Sequence, residues 1–559
     1  MKCDVAIIGG GPSGATVACL LKKYMPHLKV AVLERERFPR DHVGESLLPP
    51  SGRILNEMGV WGKIEDQNFP IKLGATLRWG TTDDLFDFSF IPGQKFKEAP
   101  RPSPFAGQRT KTAFQVDRGV FDKILLDHAA DLGCKVFQEC KVVKTNVTGH
   151  RVTGLLVESD DIDDGHVVAR HYVDASGVSA TLRKAFEIPV DSPSALRNIA
   201  IYDYWQDAAW AKQEGVDGTH IQVMSIGWGW LWFITIGRTR TSVGLVTPAE
   251  YYKNSGLSRE EIYLKAISEQ PNISQLLEGA KRENRLQADR DWSYIAEQLV
   301  GENWFLAGDS SGFADPILSA GITLAMVGSR KVAYSILELE RGVVDPAWIK
   351  SEYQRTQKQN ILNHIRFADY WYSANTMFSD LQEYCSEIAK DSGLNLNAEE
   401  AFRWIGSGGF TDDTWDPHPA AGTYRISAVK RTVSRFSGTV AEWELGKVNS
   451  LRLNLEGAEQ HKTASYREGR VKESSTYRRD NKTLFLDRIY RLILNALKEE
   501  SEIKKVIAHV TKHARPLLVT SEKELDLHIQ EVLEALLTEG WIVGSVVPNV
   551  EFVIPPVCK

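Results

Sequence analysis

Residues 3–35 read CDVAIIGGGPSGATVACLLKKYMPHLKVAVLER, and the order of parts in that stretch predicts a nucleotide-binding βαβ unit. CDVAII (3–8) reads as a buried strand, GGGPSG (9–14) follows at once, and ATVACLLKKY (15–24) has helical spacing. KVAVLER (29–35) is a second strand, with Glu34 at its end. Gly9 permits the tight turn, Gly11 lets the backbone approach a pyrophosphate, and Gly14 lets helix and strand pack closely. Pro12 and Ser13 open the helix, whose free N–H groups and positive dipole end favour phosphate. Glu34 lies 20 residues beyond Gly14, where a carboxylate can accept ribose hydroxyls. A glycine-rich turn alone is common; the five parts in register are a strong signal.

At 559 residues the chain exceeds one compact core, so two or three domains are expected. Hydrophobic residues make up 43% and charged residues 25%, as in ordinary globular proteins. The net charge of −6 gives no general attraction to nucleic acid or anionic membrane. The 15 Trp suit an aromatic-lined pocket as well as core packing. The six Cys form no CxxC pair, which predicts neither a metal site nor a disulfide framework and fits a reducing cytoplasm. A first strand starting by Cys3 leaves no room for a signal peptide. No run approaches the roughly 18 apolar residues that spanning a bilayer needs. A cytoplasmic, multi-domain protein is expected.

Three later segments return to the nucleotide fold. AFQVDRGVFDKILLDHAADLGCKV (113–136) pairs Arg118 with a long amphipathic helix, and YVDASGVSA (172–180) is a strand ending in a small-residue turn. WFLAGDSSGFADPILSAGITLAM (304–326) is a strand, then Asp309, then a Gly-rich turn into a helix. Together these resemble the FAD fold of para-hydroxybenzoate hydroxylase-type monooxygenases over roughly residues 1–330, an α/β Rossmann-type class. The resemblance implies an interleaved substrate sheet from about 60–115 and 185–295. It implies FAD held by the 9–14 loop, Glu34, Arg40, Arg118 and Asp309, with Gly312 to Gly321 beside the flavin ring.

FPRDHVGESLLP (38–49) resembles a stretch found in flavin-dependent halogenases and in geranylgeranyl reductases. GWGWLWFITI (227–236) narrows the choice. Gly229, Trp230, Trp232 and Ile234 match the halogenase Gly-Trp-x-Trp-x-Ile-Pro motif, with Thr235 where that family has Pro. GWGW also permits a register two residues earlier through Trp228, and the segment reads equally as an amphipathic sheet strand. Lys72 in FPIKLGATLRWG (69–80) stands where halogenases place a lysine between flavin and substrate. Its neighbours Phe69, Ile71, Leu73 and Leu77 are apolar, which desolvates the amine and lowers its pKa. Tryptophan halogenases carry a Glu where DPILSAG (315–321) has Leu318. The phenol- and pyrrole-halogenating branch lacks that Glu, and its resemblance implies a chloride held by the backbone N–H groups of Ala320 and Gly321.

Residues 331–480 read as a helical and irregular linker or lid: 331–395 mostly helical, 401–413 loop-like, and 415–480 polar and hard to assign. Residues 481–559 read as a small winged-helix-like domain, with a capping box at Ser521 and Glu524. From Asn481 to Gly544 there are 9 Lys/Arg against 10 Asp/Glu, so no phosphate-binding footprint is present. Length and layout resemble the halogenases of the chloramphenicol and chondrochloren pathways.

By that resemblance the chain takes FAD as FADH2, dioxygen, and chloride or bromide. A separate flavin reductase is expected, since no second GxGxxG is present. Lys72 would hold or relay hypohalous acid to an electron-rich phenolic or pyrrole-type ring, free or tethered to a carrier protein. The competing readings are a geranylgeranyl-reductase-like enzyme, a single-component aromatic hydroxylase, and a non-catalytic protein with a vestigial flavin fold. Rapid flavin reduction by NADPH alone marks the hydroxylase, and a purified protein without yellow colour marks the third.

Overall fold

The apolar runs that open the chain pair as a parallel sheet. Val5–Ile8 lies between His171–Asp174 and Val30–Leu33, and Trp304–Leu306 and Lys135–Phe137 complete the order on either side. Every residue of the first two β-strands of the chain is buried, as expected where both faces of a parallel sheet are covered. The helix Pro12–Tyr24 starts with Pro in its first turn and Gly11 as its cap. Two close approaches explain the glycines. A Cβ on Gly14 would sit 1.9 Å from the Gly9 carbonyl oxygen, and one on Gly9 would sit 2.3 Å from that of Ala175. Gly9 also has φ of +102°.

A second, nine-stranded sheet is built from the intervening segments. Ile71–Arg78 pairs in parallel with Gly218–Ile226, which continues through Gly229–Thr235 and Arg240–Pro248 to Asn198–Gln206. One face is packed by Met224, Leu231, Phe233, Val243, Leu245 and Tyr263. The helices Gly321–Arg341 and Pro346–Ser373 follow the last parallel strand. This is an α/β Rossmann-type architecture, and the computed structural model describes residues 1–384 and 442–553 apart from 81–82, 92–94, 292, 382, 480–481, 487 and 515–521.

Contacts divide the chain into Met1–Asn395 and Leu396–Lys559. In the second unit Ser450–Leu453 pairs with Ile542–Ser545, and Glu459–Arg467, Arg470–Arg479 and Lys482–Phe485 form an antiparallel sheet. Helices Arg488–Glu499, Ile503–Ala514 and Glu522–Thr538 pack around Ile493, Val506, Ile529, Leu533 and Trp541. The strands at 450–479 lie in the stretch read from sequence as helical and irregular. HKTASYR and RVKESSTYRR carry polar residues on both faces, which erases the two-residue period. The loop expected at 401–413 and the capping box at Ser521 and Glu524 lie outside the described residues and side chains.

Candidate active site

The phosphate end of the site is open and cationic. No side chain caps the helix at Gly11, so its first N–H groups are unclaimed by a capping side chain. A Cβ built on Gly11 would meet nothing within 4 Å except Arg40 Nη2, at 3.6 Å. Arg40 Nη1 is buried without a hydrogen-bond partner, 3.8 Å from Asp122. A partly buried guanidinium with an idle buried donor beside a helix amino terminus fits a pyrophosphate. Glu34 accepts from the Gly10 N–H at 2.6 Å and the Glu36 N–H at 2.8 Å. Each carboxylate oxygen keeps a lone pair for a ribose hydroxyl. Ser13 hydrogen-bonds Ser329 across to the later helix at 2.6 Å, which gives it a packing role.

Arg118, expected as a cofactor ligand, is anchored on its own helix and on the loop before it. Its Nε and Nη2 fork onto Asp122 at 2.7 and 2.8 Å, and Nη1 donates to the Val43 carbonyl at 2.7 Å. The side chain ties the loop at 43–44 to the helix Arg118–Asp131. Asp122, one helical turn on, is the partner that sequence reading missed.

Asp309, Gly312 and Gly321 line one small cleft with Phe313 and Ala314. Burial raises the Asp309 carboxyl to about 6, with Arg118 acting against that rise. The turn before the helix Gly321–Arg341 has Ser319 left-handed (φ 55°) and Ala320 right-handed (φ −89°, ψ −16°). That alternation turns successive N–H groups toward one point, a nest geometry suited to an anion. The side chain of Leu318 lies outside the described residues.

Lys72 is 2% exposed in the strand Ile71–Arg78, and its amine lies 5.6 Å from the centre of the Phe90 ring. Among the described residues none hydrogen-bonds or ion-pairs with it. Burial alone lowers its pKa from the usual lysine range to about 7. Phe69, Ile71, Leu73 and Leu77, the neighbours that predicted this, are all buried. Glu45, within the 38–49 stretch, is fully enclosed. The Tyr204 hydroxyl donates to it at 3.1 Å, and desolvation raises its pKa to about 7.

The tryptophan motif settles into one register. Trp230 and Trp232 are two apart on the strand Gly229–Thr235, with ring centres 6.1 Å apart, and Trp232 lies 6.0 Å from Tyr202. Ile234 shares their face through its pairing with Ser242, beside Tyr204. Trp228 instead stacks on Tyr251 at 5.1 Å and joins the opposite layer with Leu231 and Phe233. Thr235 pairs with Thr241 in the ladder. Trp230 donates to the Tyr372 hydroxyl at 2.8 Å, and Tyr372 reaches Asp315 at 3.4 Å. The helix Pro346–Ser373 thus contributes to this site, which its sequence did not signal.

The FAD binding domain family matches residues 2–365. A 1H-pyrrole-2-carbonyl-[peptidyl-carrier protein] chlorinase of Pseudomonas fluorescens is 32% identical over 389 residues, 67% of this chain and 85% of the relative. This chain is a flavin-dependent halogenase. A tryptophan 2-halogenase of Chondromyces crocatus is also 32% identical, over 66% of this chain and 68% of its own. Among solved structures the myxobacterial chondrochloren halogenase CndH superposes with a TM-score of 0.61 at 26% identity, covering 78% of this halogenase and 95% of that chain. The flavin-dependent halogenase CmlS shares the fold over the whole length, with a TM-score of 0.72 at 23% identity, covering 100% and 98%. The halogenase is therefore an FAD-dependent oxidoreductase. Among its described residues no helix is long and apolar enough to cross a membrane.

Proposed function

We propose that this halogenase uses FADH2, dioxygen and chloride, with bromide as a second halide, to halogenate an electron-rich phenolic or pyrrole-type ring. The observation that carries the reading is Lys72, a buried amine without a hydrogen-bond or ion-pair partner among the described residues. Bound reduced flavin, with dioxygen and halide, supplies hypohalous acid.

The chain's own residues then do four things. Gly11, the helix amino terminus and Arg40 hold the pyrophosphate, with Gly9 and Gly14 shaping the turn, and Glu34 holds ribose. Asp309, Gly312 and Gly321 bound the cleft for the ring end of the cofactor. The N–H groups of Ala320 and Gly321 hold the halide. Lys72 hydrogen-bonds or carries the oxidant, because an amine with a pKa near 7 is largely unprotonated slightly above neutrality and then has a lone pair to offer. Arg118 acts by positioning the 43–44 loop.

The two relatives of equal identity act on a carrier-bound pyrrole and on tryptophan by their names. Leu318 in place of the tryptophan-branch Glu favours the first class. A carrier protein bearing the ring as a thioester and a separate flavin reductase are the partners this implies. The test is an assay with pure protein, FAD, NADH and an added reductase, with monochlorodimedone as trap. It is run with chloride, with bromide and with neither. Halide-dependent loss of the trap is expected. Flavin oxidation to hydrogen peroxide with no halide effect would contradict the proposal.

A further inference from the structure

Three buried polar atoms stand together without partners beside Lys72. Ser46 and Gln115 face each other as an antiparallel bridge, and they are 6% and 0% exposed. Ser46 Oγ and both Gln115 amide atoms, Oε1 and Nε2, have no hydrogen-bond partner. Leaving a buried amide unpaired is costly, so orphans of this kind call for a physical reason, and a bound molecule that pairs with them is one.

The ladder says what they face. Lys72 pairs with Ala113, and Gln115 is two residues further along the same strand direction. Side chains two apart share a face, so Lys72, Gln115 and Ser46 stand on one side of this ladder. The main chain holds them there. Gln115 N–H donates to the Pro70 carbonyl at 2.9 Å, Leu47 N–H to Phe114 at 3.0 Å, and Val116 N–H to Glu45 at 2.7 Å. Phe114 points the other way, against Trp61 at 5.3 Å.

We propose that Ser46 and Gln115 form a holding site for hypohalous acid next to Lys72, an inference that rests on the halogenase reading above. The oxidant is small, neutral, and carries one O–H donor and oxygen lone pairs. Gln115 Oε1 accepts the first, while Gln115 Nε2 and the Ser46 hydroxyl donate to the second. A primary amide and an alcohol are slow to react with such an oxidant, whereas thioethers, thiols and indoles react fast. The pair therefore holds the molecule without consuming it; no bond forms or breaks at either residue, and both act by positioning.

The test uses the full-length enzyme with reductase, chloride and monochlorodimedone. Wild type is compared with the double variant Ser46→Ala/Gln115→Leu, with each single variant, and with Ser46→Thr, which keeps the hydroxyl. Trap chlorinated per FADH2 oxidised should fall about five-fold or more in the double variant. FAD affinity and the rate of reduced-flavin oxidation should stay within two-fold. The missing oxidant should appear as methionine sulfoxide on the protein by peptide mass spectrometry, and Ser46→Thr should retain most of the coupling. Coupling within two-fold of wild type would overturn the proposal. So would a fall that tracks weakened FAD binding, which would make the pair cofactor ligands. If the wild-type enzyme produces no halide-dependent oxidant, the halogenase reading fails and this site falls with it.

Discussion

Lys72 carries an energetic cost that can be read without any substrate. Its folded pKa is lowered to about 7 from 10.5 by burial, so between those values the unfolded chain binds more protons than the folded one. Stability from this position therefore rises as pH climbs from about 7 to 10 and is lowest below 7. Lys72→Met should stabilise the protein by roughly 2 kcal/mol or more at pH 6. The gain should shrink toward zero by pH 10, read from denaturant midpoints across that range. A pH-independent gain would show that the amine is not held in a desolvated place. Arg40→Ala should weaken FAD affinity about ten-fold or more, because it removes the cation facing the open helix end; fluorescence titration of apoprotein measures it. Lys72 was legible because apolar Phe69, Ile71, Leu73 and Leu77 mark its strand as buried in the sequence itself. The contacts of Arg118 with the carbonyls of Val43 and Gly44 were not, since they form only once the loop folds back, whereas the pairing with Asp122 four residues on could have been read from helical spacing.

At the scale of the element, the strand Gly229–Thr235 depends on a gap in its neighbour. A Cβ on Gly244 would sit 2.1 Å from the Trp232 ring. Gly244→Ala should destabilise the protein by about 1–3 kcal/mol through overpacking, or displace the ring and shift the tryptophan emission spectrum; thermal unfolding and fluorescence read the two. The motif strand was recognisable from spacing, but its register was not. Two readings of GWGWLW stayed open because Trp228, Trp230 and Trp232 share one parity, so alternation does not choose between registers two residues apart. Packing closed the question, with Trp228 on Tyr251 and Trp230 beside Trp232. The βαβ opening was legible for the opposite reason, since a glycine pattern, a helix and an acid must all coincide there.

For the whole molecule, the nucleotide sheet, the substrate sheet and every proposed ligand lie within Met1–Asn395. A chain ending at Asn395 should retain FAD with affinity within about three-fold of the full protein, and residues 442–559 should unfold cooperatively as an isolated fragment around the Ile493–Trp541 core. Calorimetry and flavin titration of the two pieces check this. The sheet at 450–479 was invisible to sequence reading because a small sheet with polar residues on both faces lacks periodicity. The central claim is that Lys72 handles the oxidant while the rest of the site makes it. The most direct measurement is halide-dependent trap halogenation per FADH2 oxidised in wild type against Lys72→Ala. The variant should bind and oxidise reduced FAD normally yet lose halogenation by at least about a hundred-fold, the lower end of what one acid–base group supplies. Full halogenation by Lys72→Ala would contradict that claim.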